Sequence, residues 1–281
     1  MSLSVPLPRN LLLSIAERVQ LRRALESGVV VERVEIPVRD LPSALNGFTI
    51  VHMSDLHIGV GKWEPVYAEE AAQLVRAIEP DVIVNTGDYL QGEPSLDKVM
   101  KVVQEFLMNP SKGDGGTANL GILGNHDYYA SEEVVDELRA RLESAGVIML
   151  INQATCVEQH RGGVSFVGLT VDTDGFDRGV EALMGATRPR VVLIHEPELV
   201  ERLPAGSADL VLAGHTHGGQ ITLPGLESLI VRVFSGSHYV AGLYHVNGMP
   251  LFVNRGLGTT GVPVRVRARP EITAIRLIRR S

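Results

Sequence analysis

The amino-acid sequence predicts a layered α/β protein, and three observations carry that expectation. Short apolar runs alternate with amphipathic helical patterns from residue 48 to residue 144, the order expected of strands that return through helices. At 281 residues, 44% hydrophobic and 21% charged, the chain holds enough apolar material for a real core. Polar Asp, Asn and His residues recur just past the last apolar residue of successive runs. A length near twice the commonest domain size allows two domains, but large α/β folds reach it as one. We therefore expect one globular domain, with residues 1–45 adding an amphipathic helix and a strand to a main body formed by residues 46–281.

Taken in order, residues 11–27 place Leu11, Leu12, Ile15, Val19 and Leu25 at roughly helical spacing, with Arg18, Arg22 and Arg23 elsewhere on the turn. Such a helix either packs on the body or touches a membrane surface or partner. Residues 29–38 and 48–53 read as strands. Helices are expected over 66–78, 96–108 and 132–144, and strands over 82–84 and 120–123. Beyond Val147 short strands dominate, at 164–169, 191–194, 210–212 and 251–253, with short helices around 176–184 and 197–202. Residues 112–116 read as a loop by composition.

Several absences narrow the function. The chain has 26 basic and 33 acidic residues, a net charge of −7, so a general nucleic-acid binder is not expected. The single cysteine, Cys156, rules out an internal disulfide and a thiolate metal cage; we expect it in buried packing. Residues 1–10 lack the features of a secretory signal, and no run of about 18 apolar residues occurs. The expected location is cytoplasmic.

The polar residues at strand ends carry the chemistry. The run at 48–53 leads to Asp55 and His57, that at 82–86 to Asp88, that at 120–123 to Asn125, His126 and Asp127. Those at 191–194 and 210–212 lead to His195 and to His215 and His217. One such Asp is usually a cap or turn residue. Five positions together, using five of the nine histidines, mark the edge where α/β proteins build sites. Imidazoles and carboxylates without thiols suit divalent Mn, Fe, Zn or Co. The i, i+2 spacing of Asp55 with His57, and of His215 with His217, would send both side chains to one face in extended backbone. Gly87, Gly124 and Gly214 allow sharp turns and close approach.

The series Asp55-x-His57, Gly87-Asp88, Gly124-Asn125-His126-Asp127, His195, Gly214-His215-x-His217 resembles the five-block signature of calcineurin-like metallophosphoesterases. The later Gly218-Gly219-Gln220-Ile221, Arg255-Gly256-Leu257-Gly258 and Arg269-Pro270-Glu271 are similar to a bacterial subgroup that includes membrane-associated phosphohydrolases and UDP-diacylglucosamine pyrophosphate hydrolases. The resemblance implies a four-layer α/β/β/α sandwich with two mixed sheets and a two-metal site at the carboxyl ends of the strands. It implies one metal on Asp55, His57, Asp88 and His217 and another on Asp88, Asn125, His195 and His215, with Asp88 bridging. The expected ions are divalent, manganese first, with iron, zinc, cobalt or nickel as alternatives. A bridging hydroxide would attack phosphorus in line, His126 would protonate the leaving oxygen, and Asp127 would either orient the His126 ring or cap the helix near Ser131.

The resemblance thus implies a metal-dependent phosphoesterase acting on a phosphodiester or pyrophosphate bond in a small or lipid-linked molecule. A phosphomonoesterase or protein phosphatase is the alternative; a non-catalytic scaffold would be expected to lack some of these residues. Arg255 is a candidate phosphate contact. Trp63, Tyr128 and Tyr129 either flank the substrate or pack. His52 reads as a core group, His160 as surface, and His238 and His245 as packing or solvent. Residues 265–281 carry six arginines against Glu271. Alternation of Arg265, Arg267 and Arg269 with Val266 and Ala268 suggests a strand with one basic face, either a protected sheet edge or a contact for anionic lipid or phosphorylated substrate.

Overall fold

The structure is a computed structural model that describes residues 28–59, 68–92, 95–107, 117–159, 162–170, 173–222 and 225–280. The expected helix at 11–27, the loop at 112–116, Trp63 and His160 lie outside the described residues. A six-stranded mixed sheet runs in the order β1 (Val30–Val38), β14 (Glu271–Arg279), β2 (Thr49–Met53), β4 (Val82–Asn85), β6 (Ala118–Gly121), β7 (Val147–Met149). A second mixed sheet has the order β12 (Gly242–Val246), β13 (Met249–Val253), β11 (Leu210–Ala213), β10 (Arg190–Leu193), β9 (Gly162–Gly168), β8 (Gln153–Gln159). Within them β2, β4, β6 and β7 are mutually parallel, as are β9, β10, β11 and β13. Their carboxyl ends therefore form one edge of each sheet.

Side-chain alternation decides how the layers stack. Ile50, Val82, Val84, Leu120 and Ile275 of the first sheet meet Phe166, Val191, Leu193, Leu212 and Phe252 of the second in one apolar cluster. The opposite face of the first sheet buries Val51, Met53, Ile83 and Met149 against α1 (Ala68–Ile78), α2 (Leu96–Leu107) and α3 (Glu132–Ser144). Alternate residues of the second sheet, such as Val192, Ile194 and Val211, face α4 (Thr173–Gly185) and the short turn of helix at Pro197–Arg202. In α2, Val99, Met100, Val103 and Phe106 are buried, a helical stripe that explains why this segment folds where it does. A fifth helix, α5 (Glu227–Ser235), packs beside the turn at 217–219.

Two expectations fail for local reasons. Residues 265–269 form no strand: Arg267 has φ of 63°, and only Val266 and Arg267 make isolated bridges to Ile221. The left-handed residue breaks the period-two alternation, so Arg265 is buried at 1% exposure while Arg267 and Arg269 are exposed. Cys156 is exposed, because β8 is an edge strand whose inward position is taken by its neighbour Val157. A third small sheet, absent from the sequence reading, pairs β3 (Ile58–Gly59) with β5 (Leu90–Gln91). It zips together the turns that follow β2 and β4.

Candidate metal centre

The turns after β2, β4, β6, β10 and β11 bring together every histidine and carboxylate that the sequence placed at strand ends. Asp55, His57, Asp88, His195 and His217 are buried, while Asn125, His126 and His215 are half-buried and form the open side. The paired residues do not converge through extended backbone. Asp55, His57, Asp88, His215 and His217 have φ between 45° and 73°, a left-handed conformation that costs a non-glycine residue about 1–3 kcal/mol. Backbone hydrogen bonds hold these turns: Asp55 N donates to Gly87 O and His57 N to Asp88 O, both at 3.0 Å. Glycines permit the approach. A Cβ on Gly124 would strike the Asp88 carboxylate and the His195 ring, and one on Gly214 would strike Ser54 and Asp55.

Donor atoms bound to one ion at about 2.1 Å lie about 3.0–3.4 Å apart around an octahedron or tetrahedron. His57 Nε2 lies 3.0 Å from His217 Nε2, 3.3 Å from Asp88 Oδ2 and 3.7 Å from Asp55 Oδ1. His217 Nε2 is 3.5 Å from Asp55 Oδ1. His195 Nε2 is 3.1 Å from Asp88 Oδ2, and His215 Nδ1 is 3.0 Å from Asn125 Oδ1. Two groups, Asp55 with His57 and His217, and Asp55 with Asp88 and His195, are close enough to hold an ion each. His195 gives an independent test of fit. Its Nδ1 faces the Thr86 carbonyl at 2.7 Å, while its buried Nε2 has no hydrogen-bond partner. A ring that donates from Nδ1 and turns a bare Nε2 toward a carboxylate has the form of a metal-binding imidazole.

The electrostatics agree. Burial alone would raise Asp88, yet the His195 and His57 rings hold it down to about 2. Burial would likewise raise Asp55, but His217, His57 and His195 hold it well below the carboxylate range. Burial lowers His195, but the Asp88 and Asp55 carboxylates drive it up to about 10, so without a cation the ring takes up a proton that a bound ion would displace. That negative field is what divalent cations would neutralise. Burial, with the neighbouring His57 and Arg265, keeps His217 well below the imidazole range against the pull of Asp55. A neutral ring is the form that binds metal.

The structure corrects the part expected of Asp127. Its fully buried carboxylate neither orients the His126 ring nor caps α3: Oδ2 accepts from Asp88 N at 3.0 Å and Gly124 N at 2.9 Å, and Oδ1 from Leu90 N at 2.9 Å. Burial, followed by the Asp88 carboxylate, raises Asp127 to about 7. The His126 backbone N–H donates to Asp88 Oδ1 at 2.9 Å, and its ring meets that of His57 edge-on at 4.8 Å. Tyr129 touches the site: its hydroxyl accepts from the Asn125 amide at 3.1 Å, and its ring lies 5.0 Å from that of His126. That contact turns the Asn125 oxygen toward His215.

Arg255 faces two carboxylates. Its Nε lies 2.6 Å from the buried Glu271 carboxylate and its Nη2 3.8 Å from Glu32. His52 is a buried core group, its Nε2 2.9 Å from Thr86 Oγ1, and burial lowers it to about 3. His238 and His245 are exposed. Gln220 is a contributor that its motif only hinted at. Its amide donates to Thr260 O and Val262 O and accepts from Thr260 N, tying the turn after His217 to residues 260–262.

A layered α/β core with a carboxylate–imidazole centre at its strand ends defines a metallohydrolase class, and comparison with known proteins makes it specific. Residues 48–219 match the family described as calcineurin-like phosphoesterase, and the chain belongs to that family. It is 30% identical over 252 residues to the uncharacterized metallophosphoesterase YkoQ of Bacillus subtilis (strain 168), covering 87% of this chain and 89% of that protein. It is 31% identical over 232 residues to phosphodiesterase YaeI of Escherichia coli (strain K12), covering 82% of each. A transmembrane protein with metallophosphoesterase domain of Danio rerio is 32% identical over 261 residues, 86% of this chain and 56% of that protein. The protein is thus a metal-dependent phosphoesterase, of a family that uses a dinuclear divalent metal site. No helix among the described residues is long and apolar enough to cross a membrane.

Proposed function

We propose that the protein hydrolyses a phosphodiester or pyrophosphate bond in a small or lipid-linked molecule, with two divalent ions, manganese first among them, held by Asp55, His57, Asp88, Asn125, His195, His215 and His217. The observation that carries this reading is the convergence of His57 and His195 on one oxygen of Asp88, at 3.3 and 3.1 Å. A carboxylate placed between two donor groups offsets the repulsion of two cations. When bound, the ions would supply a water of lowered pKa and draw charge from the phosphate oxygens. Asn125 adds a neutral oxygen without further charge. His126, half-buried on the open side, would protonate the leaving oxygen.

Two points favour a diester over a monoester. Arg255, the candidate phosphate contact, already faces the Glu271 and Glu32 carboxylates, which leaves less positive charge for the second negative charge of a monoester. The relative in Escherichia coli bears the name phosphodiesterase. Turnover of bis-(nitrophenyl) phosphate, nitrophenyl phosphate and a nucleotide-sugar lipid pyrophosphate with manganese tests the reading. Diester or pyrophosphate turnover is expected to exceed monoester turnover; a preference for the monoester overturns the substrate class. A lipid-linked substrate also calls for a membrane contact, for which Arg267 and Arg269 are exposed and the helix expected at 11–27 is basic on one side. Flotation with anionic liposomes at low salt is expected to recover the protein.

A further inference from the structure

Two buried charged side chains outside the proposed ligand set each collect the backbone of a different part of the centre. Arg265 donates from Nε to Gly258 O at 2.8 Å, from Nη1 to Ala268 O at 3.1 Å and to His217 O at 3.4 Å, and from Nη2 to Arg255 O at 2.9 Å. Its Nη2 also lies 3.2 Å from His217 Nδ1. The loop it gathers grips the first ligand turn in its own right: Gly258 N donates to Asp55 O at 2.7 Å and Leu257 N to Ser54 O at 3.1 Å. Arg265 therefore joins the turn of Asp55 and His57 to the turn of His215 and His217, which arise from different sheets, His57 and His217 being 160 residues apart. Asp127 does the reverse with opposite charge. It collects N–H groups, from Asp88, Leu90 and Gly124, and so joins the turn of Asp88 to the turn of Asn125.

We infer that Arg265 and Asp127 are positioning residues, each pre-forming one ion site: Arg265 the Asp55–His57–His217 group, Asp127 the group of Asp88 and Asn125. The inference rests on the two-ion reading above. Left-handed turns are costly to hold, and a buried group that hydrogen-bonds several of their backbone atoms at once removes the need for the ion to do so. Partners that hold ligands in place typically change metal affinity about 10- to 100-fold when removed. Because each clamp reaches a different pair of turns, that loss is expected to be selective.

Calorimetric titration of the metal-free full-length protein with manganese chloride tests this. His57→Ala and Asn125→Ala, which each remove one proposed ligand, identify which binding step belongs to which group. Arg265→Met is expected to weaken the step lost in His57→Ala by about tenfold or more and to leave the other within about threefold. Asp127→Asn, whose amide can accept on one side only, is expected to weaken the step lost in Asn125→Ala. Arg265→Lys, retaining charge and three donors, is expected to recover part of the affinity and serves in place of Arg265→Met should circular dichroism find the latter unfolded. Equal weakening of both steps by each variant, or no change in either, overturns the inference while leaving the two-ion reading intact. A wild-type protein that takes up fewer than two ions overturns the reading and the clamps with it.

Discussion

The two halves of the centre are built on opposite plans. Around Asp88 and Asn125 the tie is local and anionic: Asp127 sits two residues beyond Asn125, and its carboxylate gathers amide hydrogens from turns on neighbouring strands of a single sheet. Around Asp55 and His217 the tie is remote and cationic. Arg265 comes from 48 residues beyond His217, outside the 48–219 span of the family match, and gathers carbonyls from turns that belong to two sheets. The difference teaches that a turn made within one sheet can carry its own clamp, whereas a junction between sheets needs a long side chain from a third segment. Arginine suits that place, since its five donors fan out in a plane and remain charged when buried.

The strongest way to break this contrast is to remove what both halves share. Asp88→Asn is expected to lower bis-(nitrophenyl) phosphate turnover by about 10³-fold or more, several kcal/mol of lost charge stabilisation, and to weaken both binding steps in the titration. A variant that lost only one step would mean that Asp88 belongs to one half alone. His126→Ala is the next largest. Its loss is expected to lower turnover by about 10²- to 10⁴-fold, the usual contribution of a general acid, with both ions still bound, because only its backbone N–H touches Asp88. Loss of an ion in that variant would place His126 among the ligands.

Tyr129→Phe sharpens the comparison at its smallest scale. It removes the hydroxyl that accepts from the Asn125 amide, a bond worth about 1 kcal/mol, so turnover is expected to fall about fivefold or less. The ion step assigned to Asp88 and Asn125 should carry the change. A larger fall, with both ions bound normally, would assign the hydroxyl a direct contact with substrate.

Much of this centre is legible in the sequence. Position after apolar runs marks Asp55, His57, Asp88, Asn125, His195, His215 and His217; five of them form the two candidate ion groups, and His215 joins them beside the His195 ring, with Asn125 at 3.0 Å. The manner of their meeting was not legible. The i, i+2 pairs suggested an extended strand, yet each turns through left-handed backbone stabilised by hydrogen bonds from another loop. Arg265 was grouped with Arg267 and Arg269 because they alternate; one residue of positive φ, Arg267, undid the pattern. Adjacency pairs Asp127 with His126 and chemistry pairs Arg255 with phosphate, whereas the Asp127 carboxylate takes the backbone N–H groups of Gly124, three residues away, and of Asp88 and Leu90, 39 and 37 residues away, and Arg255 pairs with Glu271.

The sequence by itself determined the layers and the donor chemistry. Apolar strand runs needed burial on both faces, one cysteine left only oxygen and imidazole donors, and Asp, Asn and His fell where strands end. Tertiary structure alone decided which backbone groups Arg265 and Asp127 would collect, which face Cys156 would take and where Arg255 would point. The physical reason is range. Periodicity and composition record what a residue's neighbours in the chain require, whereas a buried charge is satisfied by whichever backbone groups the fold brings within about 3 Å, and for Arg265 those are the carbonyls of residues 217, 255, 258 and 268.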